Sequence, residues 1–368
     1  MAPLSRRALL GGALSALSLA AGRHSAWAEV AALRERALRK GLFYGCCAST
    51  AHFGDAPFIQ ALAREAGALV PEWEGKRGRI EARRGVLDFS AADRLAEFAA
   101  NHGMLFRGHT LVWWNSNPAW LNAALDAASP PESLLTGYVD AVVAHFRGRV
   151  HSWDVVNEAI EPKDGRPDGL RACPWLRAFG PAYLDIAYHT ARAADPGALL
   201  VYNDYGMDTA DPWQAARQHA VIGLLEGFRR RGVPCDALGL QAHLKTGSNF
   251  DQEHLRRFLA EVTALGYRTL ITELDVADHG GMDIAARDRA VADLAGRYLE
   301  VALDQPQTIG VVTWGLSDRY TWLDRRPWTR WVEAWRPRPL PLDSALRRKP
   351  MWHAIARAID AAPHRPGG

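Results

Sequence analysis

Two short strings hold the residues of this chain best suited to chemistry: WDVVNEA at 153–159 and ITELDV at 271–276. Each is a run of β-forming residues that leads to a carboxylate, Glu158 in the first and Glu273 in the second, more than a hundred residues apart. Carboxylates delivered from the ends of two separate strands match what cleavage of a glycosidic bond needs. One protonates the leaving oxygen, and the other acts as nucleophile or base across the sugar ring. Two ordinary strands with solvent-facing glutamates would produce the same strings, so the surroundings decide between the two readings.

The elements that must position these residues are legible in the pattern. Short apolar runs at 43–49, 68–73, 104–113, 152–159, 199–205, 237–244, 268–276 and 309–316 read as strands. Amphipathic helices lie between them, such as Leu134, Leu135, Tyr138, Val139, Val142, Val143 and Phe146, or Leu255, Phe258, Leu259, Val262 and Leu265 ahead of Gly266. Near-continuous apolar strands imply burial on both faces, hence a parallel sheet covered by helices. Eight strand–helix pairs point to an α/β protein with a single (β/α)8 TIM barrel over residues 29–368. No GxGxxG or P-loop follows any strand, which disfavours a doubly wound sheet.

A barrel gathers its functional groups at the C-terminal ends of its strands, and polar and aromatic residues collect there. The second strand ends in Pro71-Glu72-Trp73 and the third in Gly108-His109-Thr110-Leu111-Val112-Trp113. The fourth ends in Asn157-Glu158, the fifth in Tyr202-Asn203-Asp204-Tyr205 and the sixth in Gln241-Ala242-His243. The seventh carries Thr272-Glu273-Leu274-Asp275 and the eighth Thr313-Trp314-Gly315. The active site is therefore expected at the ends of strands four and seven. A divalent-metal site built from His243, Asp275, Glu273 and Glu158 is the weaker reading, because metal sites tend to use adjacent His and carboxylate ligands. No metal and no cofactor is expected.

The remaining composition removes other classes. Ser5-Arg6-Arg7, an apolar stretch at 8–21 and Ala26-Trp27-Ala28 read as a secretory signal over residues 1–28, with the paired arginines favouring the twin-arginine route of bacteria. A secreted or periplasmic protein with no membrane attachment after cleavage is the expectation. Residues 1–28 contain Arg6, Arg7 and Arg23 and no acid, so their removal takes the formal charge from +3 to about zero. A nucleic-acid partner is not expected of such a chain. Cys46, Cys47, Cys173 and Cys235 are too few for a disulfide scaffold and read as buried small hydrophobes. The chain is expected to act as a monomer without an appended binding module.

At the strand ends the sequence resembles glycoside hydrolase family 10, the endo-β-1,4-xylanase family. The motifs are RGHTLVW at 107–113, WDVVNEA, YNDY at 202–205, GLQAHL at 239–244, ITELDV, and TWG at 313–315 with a further Trp322; the resemblance runs from about 43 to 355. It implies a retaining, endo-acting hydrolase of xylan or a decorated relative, with a polysaccharide or oligosaccharide as partner. β-Glucan or exopolysaccharide hydrolysis on the same scaffold is the alternative, and a sugar-binding protein without turnover the more distant one. The resemblance further implies Glu158 as acid/base and Glu273 as nucleophile, their carboxyl groups ~5–5.5 Å apart. Asn157 would bond the sugar 2-hydroxyl, and His243, held by Asp275, would orient Glu273. Lys76, His109, Trp113, Gln241, Trp314 and Trp322 would line the glycone side together with Glu72 and Trp73. Tyr205 would stack on the aglycone side. Core packing is the reading kept for Trp153, Trp175 and Trp352.

Departures from the family bear on which sugar is bound. The usual Pro-Glu-Asn-x-Met-Lys-Trp reads Pro71-Glu72-Trp73-Glu74-Gly75-Lys76-Arg77, so the Asn that grips the next glycone sugar is Trp73. The His expected after LVW is Trp114, and both changes are assigned to the glycone side. The segment 318–343 is longer than the family norm. It holds Trp322, Trp328, Trp331 and Trp335 with arginines 319, 325, 326, 330, 336 and 338. An Arg- and Trp-rich loop at the mouth of the site is expected either to bind an acidic sugar or to cap the barrel.

Overall fold

The computed structural model describes residues 31–278, 283–325 and 336–365. The expected signal segment 1–28, and Arg326, Trp328, Arg330, Trp331 and Trp335, lie outside these residues.

Among the described residues nine strands build one sheet: β1 (Phe43–Ala48), β2 (Ala68–Pro71), β3 (Leu105–Trp113), β4 (Ser152–Asn157), β5 (Leu199–Asp204), β6 (Ala237–Leu240), β7 (His243–Lys245), β8 (Arg268–Ala277) and β9 (Thr308–Thr313). All pairings between them are parallel. β1 joins both β2 and β9, and β6 joins β8, so the sheet closes on itself. β6 and β7 are two pieces of one stave, both paired to β8, which makes the closed eight-stave barrel the sequence pattern predicts.

The helices cover the outside for the reason the pattern suggests. Gln252–Ala264 buries Leu255, Phe258, Leu259 and Val262, and is capped by the Asp251 carboxylate, which accepts from the Glu253 and His254 amides. Ser133–His145 likewise buries Leu134, Leu135, Tyr138, Val139, Val142 and Val143. Trp153, Trp175 and Trp352 are each no more than 2% exposed, and all four cysteines are buried free thiols.

Strand ends depart from the sequence pattern where the backbone turns toward the site. β4 stops at Asn157 because Glu158 adopts a left-handed conformation (φ 59°), which no strand can continue. The expected strand 237–244 breaks at Gln241-Ala242, with Ala242 at φ 55°. β2 ends at Pro71, which leaves Glu72 and Trp73 in the following turn. Register also slips between β3 and β4 at 109–112, between β4 and β5 at 154–156, and between β8 and β9 at 271–274. Such irregularities re-aim side chains, and each flanks a residue of the candidate site.

Candidate active site

A cavity of about 1060 Å³ opens at the C-terminal ends of the staves. It is lined by Trp73, Lys76, His109, Trp113, Trp114, Asn157, Glu158, Tyr205, Gln241, His243, Glu273, Trp314 and Trp322, among others. The structure therefore brings together every predicted site residue except Glu72 and Asp275, which act from behind the wall. Glu72 is 2% exposed, and its charge favours the ammonium of Lys76.

Alternation along β8 puts Glu273 and Asp275, two residues apart, on one face. The register of β7 sets His243 directly opposite Asp275. The imidazole then lies between two carboxylates, with Nε2 3.2 Å from Glu273 Oε2 and Nδ1 3.0 Å from Asp275 Oδ1. Trp322 Nε1 donates to the other Asp275 oxygen at 2.5 Å. Burial opposes a charged ring here, but Asp275 and Glu273 outweigh it and raise His243 to about 10. Burial would likewise raise Glu273; the His243 hydrogen bond, together with the nearby His109 and Lys76, holds it below the usual Glu range. Glu273 is thus kept as a carboxylate.

These shifts fix a pH dependence of stability. A histidine raised from its ordinary 6.5 to about 10 adds stability that is complete below about pH 6.5 and is lost as pH rises through 10. The lowered Glu273 adds stability that is present above the ordinary Glu range and lost as pH falls through its own value. Scanning calorimetry should show the thermal midpoint falling more steeply between pH 7 and 10 in the wild type than in His243→Gln. Parallel curves would contradict the assignment of His243 as the cation.

Glu158 is fixed at backbone and side chain. Its amide donates to Asn203 O at 2.9 Å, and its carbonyl accepts from Arg171 Nε at 2.8 Å, which supports the left-handed backbone. One carboxylate oxygen, Oε2, accepts from two indoles, Trp113 Nε1 at 2.9 Å and Trp114 Nε1 at 2.7 Å. The other, Oε1, accepts from Gln241 Nε2 at 3.1 Å. Asn203 connects the two carboxylate stations, with Nδ2 2.8 Å from Glu273 Oε1 and 2.9 Å from the side-chain amide of Asn157.

Lys76 lies among three indoles of the cavity wall. Its ammonium sits 4.2 Å from the Trp73 ring centre, 5.0 Å from that of Trp113 and 5.9 Å from that of Trp314. Burial lowers its pKa, against the pull of Glu273 and Glu72. His109 packs edge-on to Trp314 with centroids 5.2 Å apart, and its Nδ1 bonds Asp154 Oδ2 at 2.9 Å. Arg107, two residues earlier on the same strand, reaches the other Asp154 oxygen at 2.6 Å. The barrel interior beneath the site is therefore held by a buried ion pair that also orients His109.

Gly75 and Arg77, the other substitutions in this turn, have structural explanations. A Cβ at 75 would come 2.2 Å from His109 O, so that approach needs glycine. Arg77 is buried, pairs with Glu81 at 2.8 Å, stacks 4.1 Å from the Tyr138 ring and does not line the cavity.

Trp114 bonds Glu158 and lies 4.8 Å beneath the Arg171 guanidinium, which also donates to the Tyr205 hydroxyl at 3.0 Å. Of the arginines in the segment expected either to bind an acidic sugar or to cap the barrel, Arg319 pairs with Asp55, and Arg338 pairs with Asp288 at 2.7 Å. Those two serve the scaffold.

The pattern reading missed Asn203, Arg171 and Trp213 as individual site residues. Asn203 was signalled only by its place in YNDY. Arg171 comes from a loop and Trp213 from the first turn of the helix Pro212–Arg231, and the apolar pattern encodes the path of neither.

Residues 32–358 match the profile described as glycosyl hydrolase family 10. Endo-1,4-beta-xylanase B of Thermotoga neapolitana is 33% identical over 267 residues, 72% of this chain and 74% of that protein. Endo-1,4-beta-xylanase 1 of Humicola insolens is 31% identical over 338 residues, 89% of this chain and 74% of that protein. Among solved structures, native xylanase 10B of Thermotoga maritima superposes with a TM-score of 0.81 at 28% identity, covering 89% of this chain and 98% of that one. Xylanase 10B of Thermotoga petrophila, solved with xylobiose, has the same TM-score and identity, with coverages of 89% and 97%.

Proposed function

The chain belongs to glycosyl hydrolase family 10, and from that premise we propose that it is a retaining endo-β-1,4-xylanase working through Glu158 and Glu273. The observation that carries this reading is one cavity holding both carboxylates, the first on indole and amide donors and the second ionised against a protonated histidine.

In the first half-reaction the Glu273 carboxylate attacks the anomeric carbon of the sugar lying between Lys76 and Glu158. The bond to the leaving oxygen breaks, and that oxygen takes a proton from Glu158. In the second, Glu158, now a carboxylate, takes a proton from water, and the oxygen of that water displaces Glu273 from the anomeric carbon. His243 holds Glu273 in its attacking orientation. Asn157 and Asn203 hold the floor between the two carboxylates, and Asn157 takes the 2-hydroxyl. Lys76, with Trp73, Trp113 and Trp314 around its ammonium, bounds the glycone sugar. Tyr205, its ring backed by Arg217 at 4.2 Å, supports the first aglycone sugar.

Reducing-end release from xylans, β-glucans and mannans tests the substrate class. Xylan should be cleaved fastest and internally; hydrolysis of β-glucan with xylan untouched would contradict the reading.

Trp114 tests how the acid/base is held. Its indole is one of two donors on Glu158 Oε2, which leaves Oε1 to exchange the proton. Trp114→Phe keeps an aromatic ring under Arg171 but removes the N–H. Activity on xylan should fall roughly tenfold for the lost charge-assisted bond. Aryl xylobiosides with activated leaving groups, which need little protonation, should lose much less. Equal losses on both would assign Trp114 a packing role only.

A further inference from the structure

We propose that Lys349, which lines no part of the catalytic cavity, is a positioning residue for the nucleophile. Its ammonium fixes the turn that carries Trp322, and Trp322 fixes Asp275 behind His243 and Glu273. This deepens the reading of Glu273 as nucleophile and rests on it.

The Lys349 ammonium is buried among three acceptors: Asp318 Oδ2 at 2.9 Å, the Arg338 carbonyl at 2.7 Å and Asp288 Oδ1 at 3.3 Å. An ammonium has three N–H donors, so the set is complete. The acceptors come from separate parts of the chain: the turn after β9, the return segment 336–343 and the helix Ile284–Asp304. Arg338 pairs with Asp288 at 2.7 Å, which balances two acids with two bases. Buried ion pairs often stabilise a fold no more than apolar packing of the same volume. What this cluster supplies is fixed geometry.

That geometry leads to the nucleophile. Asp318 Oδ1 accepts from the Leu340 amide at 3.0 Å, and the Asp318 amide donates to Leu342 O at 2.9 Å. On the outer side of the turn the Tyr320 hydroxyl donates to Asp55 at 2.8 Å. Four residues after Asp318, Trp322 Nε1 donates to Asp275 Oδ2 at 2.5 Å, and its ring centre lies 5.0 Å from that of His243. With Oδ2 held by the indole, Oδ1 is the oxygen left to meet His243 Nδ1 at 3.0 Å. The return segment supports the same staves. The Val276 amide, next to Asp275, donates to Pro339 O at 3.2 Å, and Leu340 packs on Gly315, next to Trp314. Lys349 ties down this segment twice, by its ammonium on Arg338 O and by its amide on Pro341 O at 2.9 Å.

The test compares the wild type, Asp318→Asn/Lys349→Met, Trp322→Phe and the triple variant. The readouts are kcat and KM on xylohexaose, and hydrogen exchange of the Trp322 indole N–H, assigned by its loss in Trp322→Phe. The paired substitution removes one charge of each sign and leaves Arg338 with Asp288. In the paired variant kcat should fall roughly tenfold with KM within about twofold, as expected of a misaimed nucleophile. Exchange at Trp322 should quicken at least ~10-fold, while the Trp352 indole, bonded to Glu65 at 3.0 Å, keeps its wild-type rate. In the Trp322→Phe background the pair should cost nothing further in kcat, because the indole through which Lys349 acts is gone. Lys349→Arg, which keeps the charge but replaces a tetrahedral donor set with a planar one, should give the same pattern and serves if the paired variant does not fold. Equal losses of kcat in both backgrounds, or unaltered exchange at Trp322, overturn the positioning role. A wild type that cleaves no xylo-oligosaccharide overturns the xylanase reading, while exchange at Trp322 still tests the hold of Lys349 on the turn.

Discussion

Replacing Glu273 by Gln should leave a folded protein that binds xylo-oligosaccharides and hydrolyses xylan at least ~10⁴-fold more slowly, because removing the nucleophile removes the reaction path rather than one contact. The change is close to isosteric. Glu273 is 5% exposed and is held by Asn203 Nδ2 at 2.8 Å and His243 Nε2 at 3.2 Å, so the amide occupies the same place without the charge. Loss of that charge also removes one of the two carboxylates that raise His243, so the imidazole should titrate below its wild-type value of about 10. Reducing-end assays and calorimetric titration with xylohexaose report turnover and binding separately. Substantial hydrolysis by Glu273→Gln would remove Glu273 from the nucleophile's role.

Glu158→Ala should lose ~10²- to 10⁴-fold on xylan, the usual worth of a positioned general acid–base. The loss should depend on the leaving group, which a structural defect would not reproduce. An aryl xylobioside with a strongly activated phenolate needs no proton, so its first step should persist. The glycosyl-enzyme should then accumulate, because no base activates the water. A rapid burst of phenolate followed by slow turnover is the expected trace, and added azide should speed turnover and yield the β-xylobiosyl azide. The backbone contacts at 158 are the Asn203 carbonyl and Arg171 Nε, neither of which needs the carboxylate, so the fold should survive the substitution. A uniform loss on activated and unactivated substrates would deny Glu158 the proton-transfer role.

The barrel was legible because each stave is buried on both faces and each covering helix on one, and both patterns are local in the chain. The strand ends were legible as chemistry but not as geometry. Nothing in WDVVNEA says that Glu158 leaves the strand at φ 59°, nor in GLQAHL that the stave breaks at Ala242. Both follow from aiming side chains into a shared cavity, a tertiary demand that overrides strand propensity. His243 beside Asp275 is set by the register of two staves, which only barrel closure determines.

Long charged residues were the hardest to assign. Arg171 looks like a surface arginine in sequence, yet it ties the backbone of Glu158 to the hydroxyl of Tyr205 and stacks on Trp114. Arg319 and Arg338 look like anion binders, yet each meets a scaffold aspartate. Their partners lie far away in the chain, at Asp55 and Asp288, where spacing carries no signal. Trp114 shows the same limit from another side. As a departure from its family it was visible at once, but its bond to Glu158 depended on the path of a loop.

The central claim is that one glutamate of this cavity becomes covalently glycosylated while the other manages the proton. Incubation with an aryl 2-deoxy-2-fluoro-β-xylobioside slows the second step and traps that intermediate, and mass mapping of the peptides identifies the labelled residue. A single fluoroxylobiosyl adduct on Glu273, absent from Glu273→Gln, is the predicted result. An adduct on another residue, or full inversion at the anomeric centre with no adduct at all, would contradict the double displacement.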